Sequence, residues 1–171
     1  MTGFSTVEGG VIIVGVLLFL WFVFVVASKN SIPEEWSYEL LYDELTPYEF
    51  EEVVAELWED KGYNITHKEK GADQGVDVKA TKRGTSITIQ VKQYNRDTNS
   101  IGSNTVRTVL GSAQHANTRR SMVVTTSRFT DPAKEVEKAN SSITLISGPE
   151  LVEELNESSV DPTDFEESLR S

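Results

Sequence analysis

At 171 residues the chain is long enough for one domain of ordinary size with something added. With no cysteine and only two histidines, His67 and His115, it excludes a disulfide framework, a thiolate metal site and an ordinary zinc site. A net charge of −11 argues against a nucleic-acid binder until it is divided by segment, because residues 61–130 carry twelve Lys or Arg against four acids.

The acids lie on either side of that basic block. Residues 31–60 carry eleven acids and no Lys or Arg, and residues 131–171 carry eleven acids against three bases. A basic centre suits a polyanionic ligand, while an acid-rich, salt-adapted surface is the plainer account of the same charges.

Residues 1–10 form a short polar start. Val11 to Ala27 then runs for seventeen residues with no charged and no strongly polar side chain. At about 1.5 Å per residue, a helix there spans about 25 Å, near the lower limit for a bilayer core. A cleaved signal peptide ending at Val25-x-Ala27 is the rival, and a buried core helix the third reading. A start without Lys or Arg and the long apolar run favour an uncleaved transmembrane helix. Lys29 after the span and Glu8 before it place the following domain in the cytoplasm, with residues 1–10 extracytoplasmic. The expectation is a single-pass protein of the cell membrane.

Residues 28–44 read as an acidic linker. Its Trp36, Tyr38 and Tyr42 suit either a membrane interface or packing on the domain. Helix-start chemistry follows: Thr46 as N-cap, Pro47 at the first helical position, Glu49 completing a capping box, and Leu45 with Phe50 as a hydrophobic staple. Phe50, Val53, Val54, Leu57 and Trp58 give one apolar face, ended by Gly62. Glu51 sits at the rim of that face among many acids, and by pattern alone it reads as a solvated surface carboxylate.

The informative stretch is Gly71 to Lys92. Val76, Val78 and Ala80 alternate with polar residues, as do Ile87, Ile89 and Val91, the period of half-buried strands. If Arg83-Gly84 is a two-residue turn, Ala80 faces Ile87, Val78 faces Ile89 and Asp77 faces Gln90, with opposed Cβ atoms about 4.5–5.5 Å apart. Lys92 then shares the face of Gln90. The patch collects a carboxylate, an amide oxygen and an ammonium, enough for a hard divalent cation and a poised water. A slip of one residue would scatter it. Asp73, in the preceding loop, reads as a turn residue or as a carboxylate supporting the patch from behind, and the bare pattern favours the turn.

Beyond Lys92, a polar loop over 93–103 leads to a helix carrying Val106, Val109, Leu110 and Ala113. A strand over Met122 to Thr125, a helix from Thr130-Asp131-Pro132 through Ala139, a strand over Ile143 to Ile146 and a short helix over Pro149 to Leu155 follow. This spacing implies parallel crossovers, so the antiparallel hairpin joins a mixed α/β sheet flanked by helices, in a domain over 45–156. Residues 157–171, acidic with few apolar side chains, read as a disordered tail.

Five runs in this order resemble the Mrr-like (type IV) restriction endonuclease family of the PD-(D/E)xK nuclease superfamily. They are T-P-Y-E-F-E-E-V-V-A-E-L-W-E-D-K-G-Y, G-A-D-Q-G-V-D-V, I-T-I-Q-V-K-Q-Y, V-V-T-T-S-R-F-T-D-P-A and I-T-L-I-S-G-P-E-L. The resemblance spans Leu45 to Leu155 and implies a restriction-endonuclease-like fold with the active site on a hairpin. It implies Asp77 as metal-binding aspartate, Gln90 where most of the superfamily has an acid, Lys92 as catalytic lysine, and Glu51 as the glutamate of the N-terminal helix. Asp73 matches the loop aspartate of the family's G-x-D-x-G-x-D pattern, with Gln74 where the family often has Gly.

The function so implied is DNA endonuclease activity with Mg²⁺ or Mn²⁺ held by Asp77, Gln90 and Glu51, in restriction of foreign or modified DNA. Candidate backbone contacts are Lys79, Lys82, Arg83, Arg107, Arg119, Arg120 and above all Arg128, which precedes a helix N-terminus. Double-strand cutting by one small site calls for a homodimer. The competing reading is a DNA-tethering module that keeps the fold and does not cleave.

Overall fold

The computed structural model describes residues 16–23, 35–68, 76–115 and 118–165. Asp73 lies outside them, as do the remaining parts of the expected membrane span and the last six residues. Residues 16–23 are α-helical with all eight side chains exposed. Among the described residues no helix is long and apolar enough to cross a membrane.

Helix α1 (Pro47–Asp60) starts as its sequence dictates. The Thr46 backbone N–H donates to Glu49 Oε2 at 2.7 Å, and the Glu49 N–H returns to Thr46 Oγ1 at 3.4 Å. Each such cap contributes about 0.5–2 kcal/mol. The apolar face of α1 is buried at Phe50, Val53, Val54, Leu57 and Trp58.

Strands β1 (Asn64–Lys68), β2 (Val78–Lys82) and β3 (Thr85–Lys92) form an antiparallel meander. Arg83 and Gly84 both have positive φ, +49° and +77°, the backbone of a type I′ turn whose twist matches the flanking strands. That turn sets the register: Ala80 opposes Ile87 and Val78 opposes Ile89. After β3 come β4 (Ser100–Ile101), α2 (Ser103–His115), β5 (Arg120–Thr125), β6 (Arg128–Phe129), α3 (Asp131–Ala139), β7 (Ile143–Ile146) and α4 (Gly148–Asn156). The main sheet has the order β1-β2-β3-β5-β7, with β3, β5 and β7 parallel. Strands β4 and β6 form a separate parallel pair just beyond the ends of β3 and β5.

Alternation divides the side chains between two cores. Val78, Ala80, Ile87, Ile89, Val91, Val124 and Ile146 face α1 and α4. Val123, Ile143 and Leu145 face α2 and α3. Burying both faces makes β3 more than the half-buried strand its alternation predicts: Thr88 and Gln90 are 0% and 3% exposed.

The expected linker and tail differ from the reading by composition. Leu40–Glu44 is a π-helical turn, and Trp36, Leu40 and Leu41 are buried in the α1 core. Past α4, Pro162–Phe165 is a 3₁₀ helix with Phe165 buried. The two segments fasten each other. Trp36 Nε1–H donates to the Val160 carbonyl at 2.8 Å, its backbone N–H donates to Asn156 Oδ1 at 2.7 Å, and its ring meets Phe165 edge-on at 5.7 Å. A few apolar residues suffice because each finds a partner more than a hundred positions away, which an acid count cannot register. Trp36, Tyr38 and Tyr42 thus pack on the domain.

Candidate active site

The site grows from the end of the hairpin away from its turn. The Asp77 N–H donates to the Ile89 carbonyl at 3.0 Å, continuing the β2–β3 ladder by one residue. This puts the Asp77 carboxylate across from Gln90, as the register predicts. Its Oδ2 accepts from the Val91 backbone N–H at 2.6 Å and from the Gln90 side-chain amide. One carboxylate oxygen is thus fixed by the fold, and among the described residues Oδ1 takes no hydrogen bond.

Lys92, the last residue of β3, is held through its backbone. Its carbonyl accepts from Thr125 Oγ1 at 2.7 Å and from the Thr126 N–H at 3.3 Å. Thr126 Oγ1 clasps Tyr94 on both sides, donating to its carbonyl at 2.7 Å and accepting from its N–H at 2.8 Å. Thr125 and Thr126 are 0% and 1% exposed, so these bonds are shielded from water. Sequence reading assigned neither residue a role. The signal was there, in two consecutive hydroxyls at the end of an otherwise apolar strand.

Glu51 comes from a different element, the first turns of α1, and lies on the same charge cluster. Burial pushes its carboxyl above the usual carboxylate range, the negative charge of Asp77 pushes it further, Lys92 opposes that rise, and Glu52 adds a smaller upward push. A carboxylate that responds to both Asp77 and Lys92 is not the solvated surface group its pattern suggests. The Asp77 carboxylate is thus bonded to Gln90, and Glu51 lies within electrostatic reach of Asp77 and Lys92.

The basic candidates do not form one belt. Lys82 Nζ donates to the Lys61 carbonyl and lies 5.2 Å over the Tyr63 ring, closing the end of α1. Arg83 sits in the hairpin turn, and Arg120 is level with Ile87, five residues before Lys92. At about 3.3 Å per residue, Arg120 stands roughly 10 Å along the sheet from the level of Asp77 and Gln90, Arg119 a residue further and Arg83 roughly 20 Å away, all toward the other end of the sheet. Lys79 stands mid-hairpin on β2, and Arg107 lines a groove between α2 and α3. Arg128, exposed just past the end of β5, is the basic candidate at the same end of the sheet as Lys92.

A family model described as "Mrr_cat: Restriction endonuclease" matches residues 42–155, about two-thirds of the chain and all of the elements that build this site. The chain belongs to this restriction endonuclease family. Solved structures agree on the fold of the Mrr-like domain. The protein of unknown function AF1548 aligns with a TM-score of 0.51 at 20% identity, over 60% of this chain and 58% of that one. The DNA modification-dependent restriction endonuclease AspBHI aligns with a TM-score of 0.57 at 18% identity, over 73% of this chain and 35% of that one. The Mrr-like chain therefore spans less than two-thirds of either neighbour. No curated protein matches it.

Among the described residues no three His, Cys, Asp or Glu side chains converge on a metal position. The reason is composition. The Mrr-like site has two carboxylates and an amide where a third acid would complete such a set. Its donors are nonetheless all hard oxygens, and the Glu51 carboxyl is raised first by burial and then by the negative charge of Asp77. A divalent cation relieves that repulsion and matches those ligands.

Proposed function

We propose that the chain is a membrane-anchored endonuclease that hydrolyses DNA phosphodiester bonds with Mg²⁺ or Mn²⁺, in restriction of foreign or modified DNA. The observation that carries this reading is the convergence of Asp77, Gln90 and Lys92 at one end of the hairpin, with the Glu51 carboxyl responding to both Asp77 and Lys92. Asp77 Oδ1, the Glu51 carboxylate and Gln90 Oε1 would hold the cation, which when bound polarises the scissile phosphate and lowers the pKa of an attacking water. Lys92 orients that water and offsets charge developing on the phosphate oxygens. The backbone bonds from Thr125 and Thr126 keep the Lys92 main chain in place while its side chain acts. Arg128 supports a neighbouring phosphate.

The membrane anchor rests on the apolar run over 11–27, and the cytoplasmic placement on Lys29. Two copies would cut the two strands. One observation favours a second reading, a DNA-tethering module: Gln90 contributes no charge and its amide is turned as a donor toward Asp77.

The deciding measurement is plasmid nicking by the full chain in Mg²⁺, Mn²⁺ or EDTA, with filter binding of the same DNA. Under the nuclease reading, Asp77→Ala abolishes nicking and leaves DNA binding intact, and Lys92→Ala lowers the rate by about 10²–10³-fold. A wild-type chain that binds DNA and never nicks it, with any of these ions, establishes the tether instead.

A further inference from the structure

A cleft of about 570 Å³ opens beside the site, within the size range of small-ligand pockets. Its position follows from topology. Parallel strands β3, β5 and β7 all end at one edge of the sheet, and each sends its following loop into the wall: Arg96 and Asp97 after β3, Ser127 and Arg128 after β5, Gly148 and Pro149 after β7. The crevice outside the carboxyl ends of parallel strands is where open α/β sheets receive ligands. Lys92 ends the first of these strands, so the cleft and the carboxylate cluster share an edge of the sheet. The β4–β6 pair and the bond from Ser127 Oγ to the Asn99 carbonyl fix the β3 loop against the β5 loop.

The chemistry of the wall is mixed in a specific way. Tyr38 lines the wall, and Tyr42, which does not itself line the cleft, stacks on it with centroids 5.6 Å apart and planes 11° from parallel. The Arg96 guanidinium lies over the Tyr38 ring at 4.3 Å, and the Arg96 backbone N–H donates to Tyr38 Oη at 2.9 Å. The Arg96 side chain is still 52% exposed, paired with Glu39 and Asp97 at 3.6 and 3.8 Å, long contacts that water weakens. The stack is therefore a flat platform ending in a guanidinium. Arg128 supplies a second guanidinium, exposed, with no ion-pair partner among the described residues. Guanidinium planes stack on nucleobases, and an unpaired arginine takes a phosphate.

We propose that this cleft receives one nucleotide of a DNA strand, its base laid on the Arg96 guanidinium that covers the Tyr38 ring and its phosphate on Arg128. The cleft and its ligand class stand on the geometry alone; that the nucleotide belongs to a DNA strand rests on the nuclease reading. A nucleotide seated here anchors the strand beside Lys92, so the cleft contributes to substrate binding rather than to the chemical step.

Calorimetric titration of the full chain in EDTA tests this, with deoxyadenosine monophosphate and inorganic phosphate as separate probes. The nucleotide binds at least tenfold more tightly than phosphate. Arg128→Ala, a change at an exposed position, weakens it at least tenfold, as does Arg96→Ala, while Asp77→Ala leaves it unchanged. A single-stranded decanucleotide displaces the mononucleotide, and Arg128→Ala raises KM for plasmid nicking several-fold more than it lowers kcat. Equal affinity for nucleotide and phosphate, binding that survives both arginine variants, or failure of the decanucleotide to compete would each overturn the proposal. Nucleotide binding by a wild-type chain that never nicks DNA would sink the nuclease reading and leave the cleft assignment standing.

Discussion

Asp77 shows how one side chain serves two ends. Its Oδ2 is fixed by the Val91 N–H and the Gln90 amide, and among the described residues its Oδ1 takes no hydrogen bond. Glu51 feels that cluster, and the sign of its shift yields a prediction. Its folded pKa lies above the unfolded one, so its contribution favours folding at low pH and is lost as pH rises through the folded value. In EDTA, Glu51→Gln therefore raises Tm at pH 7–8, and the gain over wild type disappears near pH 4. Mg²⁺ raises the wild-type Tm at neutral pH and does so less in Asp77→Ala. A Glu51→Gln chain less stable than wild type at pH 8 in EDTA would show that burial and repulsion do not govern this group. At Thr125, valine keeps the shape and removes the hydroxyl, whereas serine keeps the hydroxyl. Thr125→Val lowers kcat about tenfold or more at nearly unchanged KM, and Thr125→Ser restores most of it. A loss shared equally by both variants would mean that the hydroxyl does not position Lys92.

At the scale of elements, the C-terminal edge of the sheet depends on the entry to α4. The Gly148 N–H donates to the Ser127 carbonyl at 2.8 Å, and a Cβ on Gly148 would stand 2.2 Å from the Thr126 carbonyl oxygen. That contact is with backbone, so relief requires moving α4 or the very segment that clasps Lys92 and Tyr94. Gly148→Ala costs about 1–3 kcal/mol, measurable by urea denaturation, and lowers nicking beyond what the loss of folded protein explains. The hairpin is the contrasting case. Its register was legible because Arg83-Gly84 takes the two-residue turn and both strands alternate strictly, so local chemistry alone sets Asp77 across from Gln90. The burial of Gln90 was not legible, because it comes from α2 packing across β3, a contact between separate elements.

For the molecule as a whole, the ordered domain begins before Leu45 and ends after Asn156. Trp36 and Phe165 close it from opposite ends of the chain, joined to Val160 and Asn156. Trp36→Ala destabilises the domain by about 3–5 kcal/mol in thermal or urea unfolding, the cost of an aromatic side chain lost from a core. An effect below about 1 kcal/mol would return residues 35–44 to the role of linker. The apolar run over 11–27 gives a separate expectation at this scale: the full chain sediments with membranes and resists extraction by carbonate, and a mature N-terminus at Ser28 would overturn it.

By itself the amino-acid sequence determined the starts of α1 and α3, the hairpin register and the succession of the longer elements after it. Those depend on capping groups, turn residues and period-2 alternation within a few positions of one another. It did not determine the short β4–β6 pair, whose first strand falls in the expected polar loop over 93–103. The family resemblance pointed to Glu51, but only the tertiary structure decided that its carboxyl is part-buried and feels Asp77 and Lys92, that Arg83, Arg119 and Arg120 lie toward the far end of the sheet, and that the loops after β3, β5 and β7 enclose a cleft. Charge and desolvation act through space, and the distances that set them exist only once the strands lie side by side.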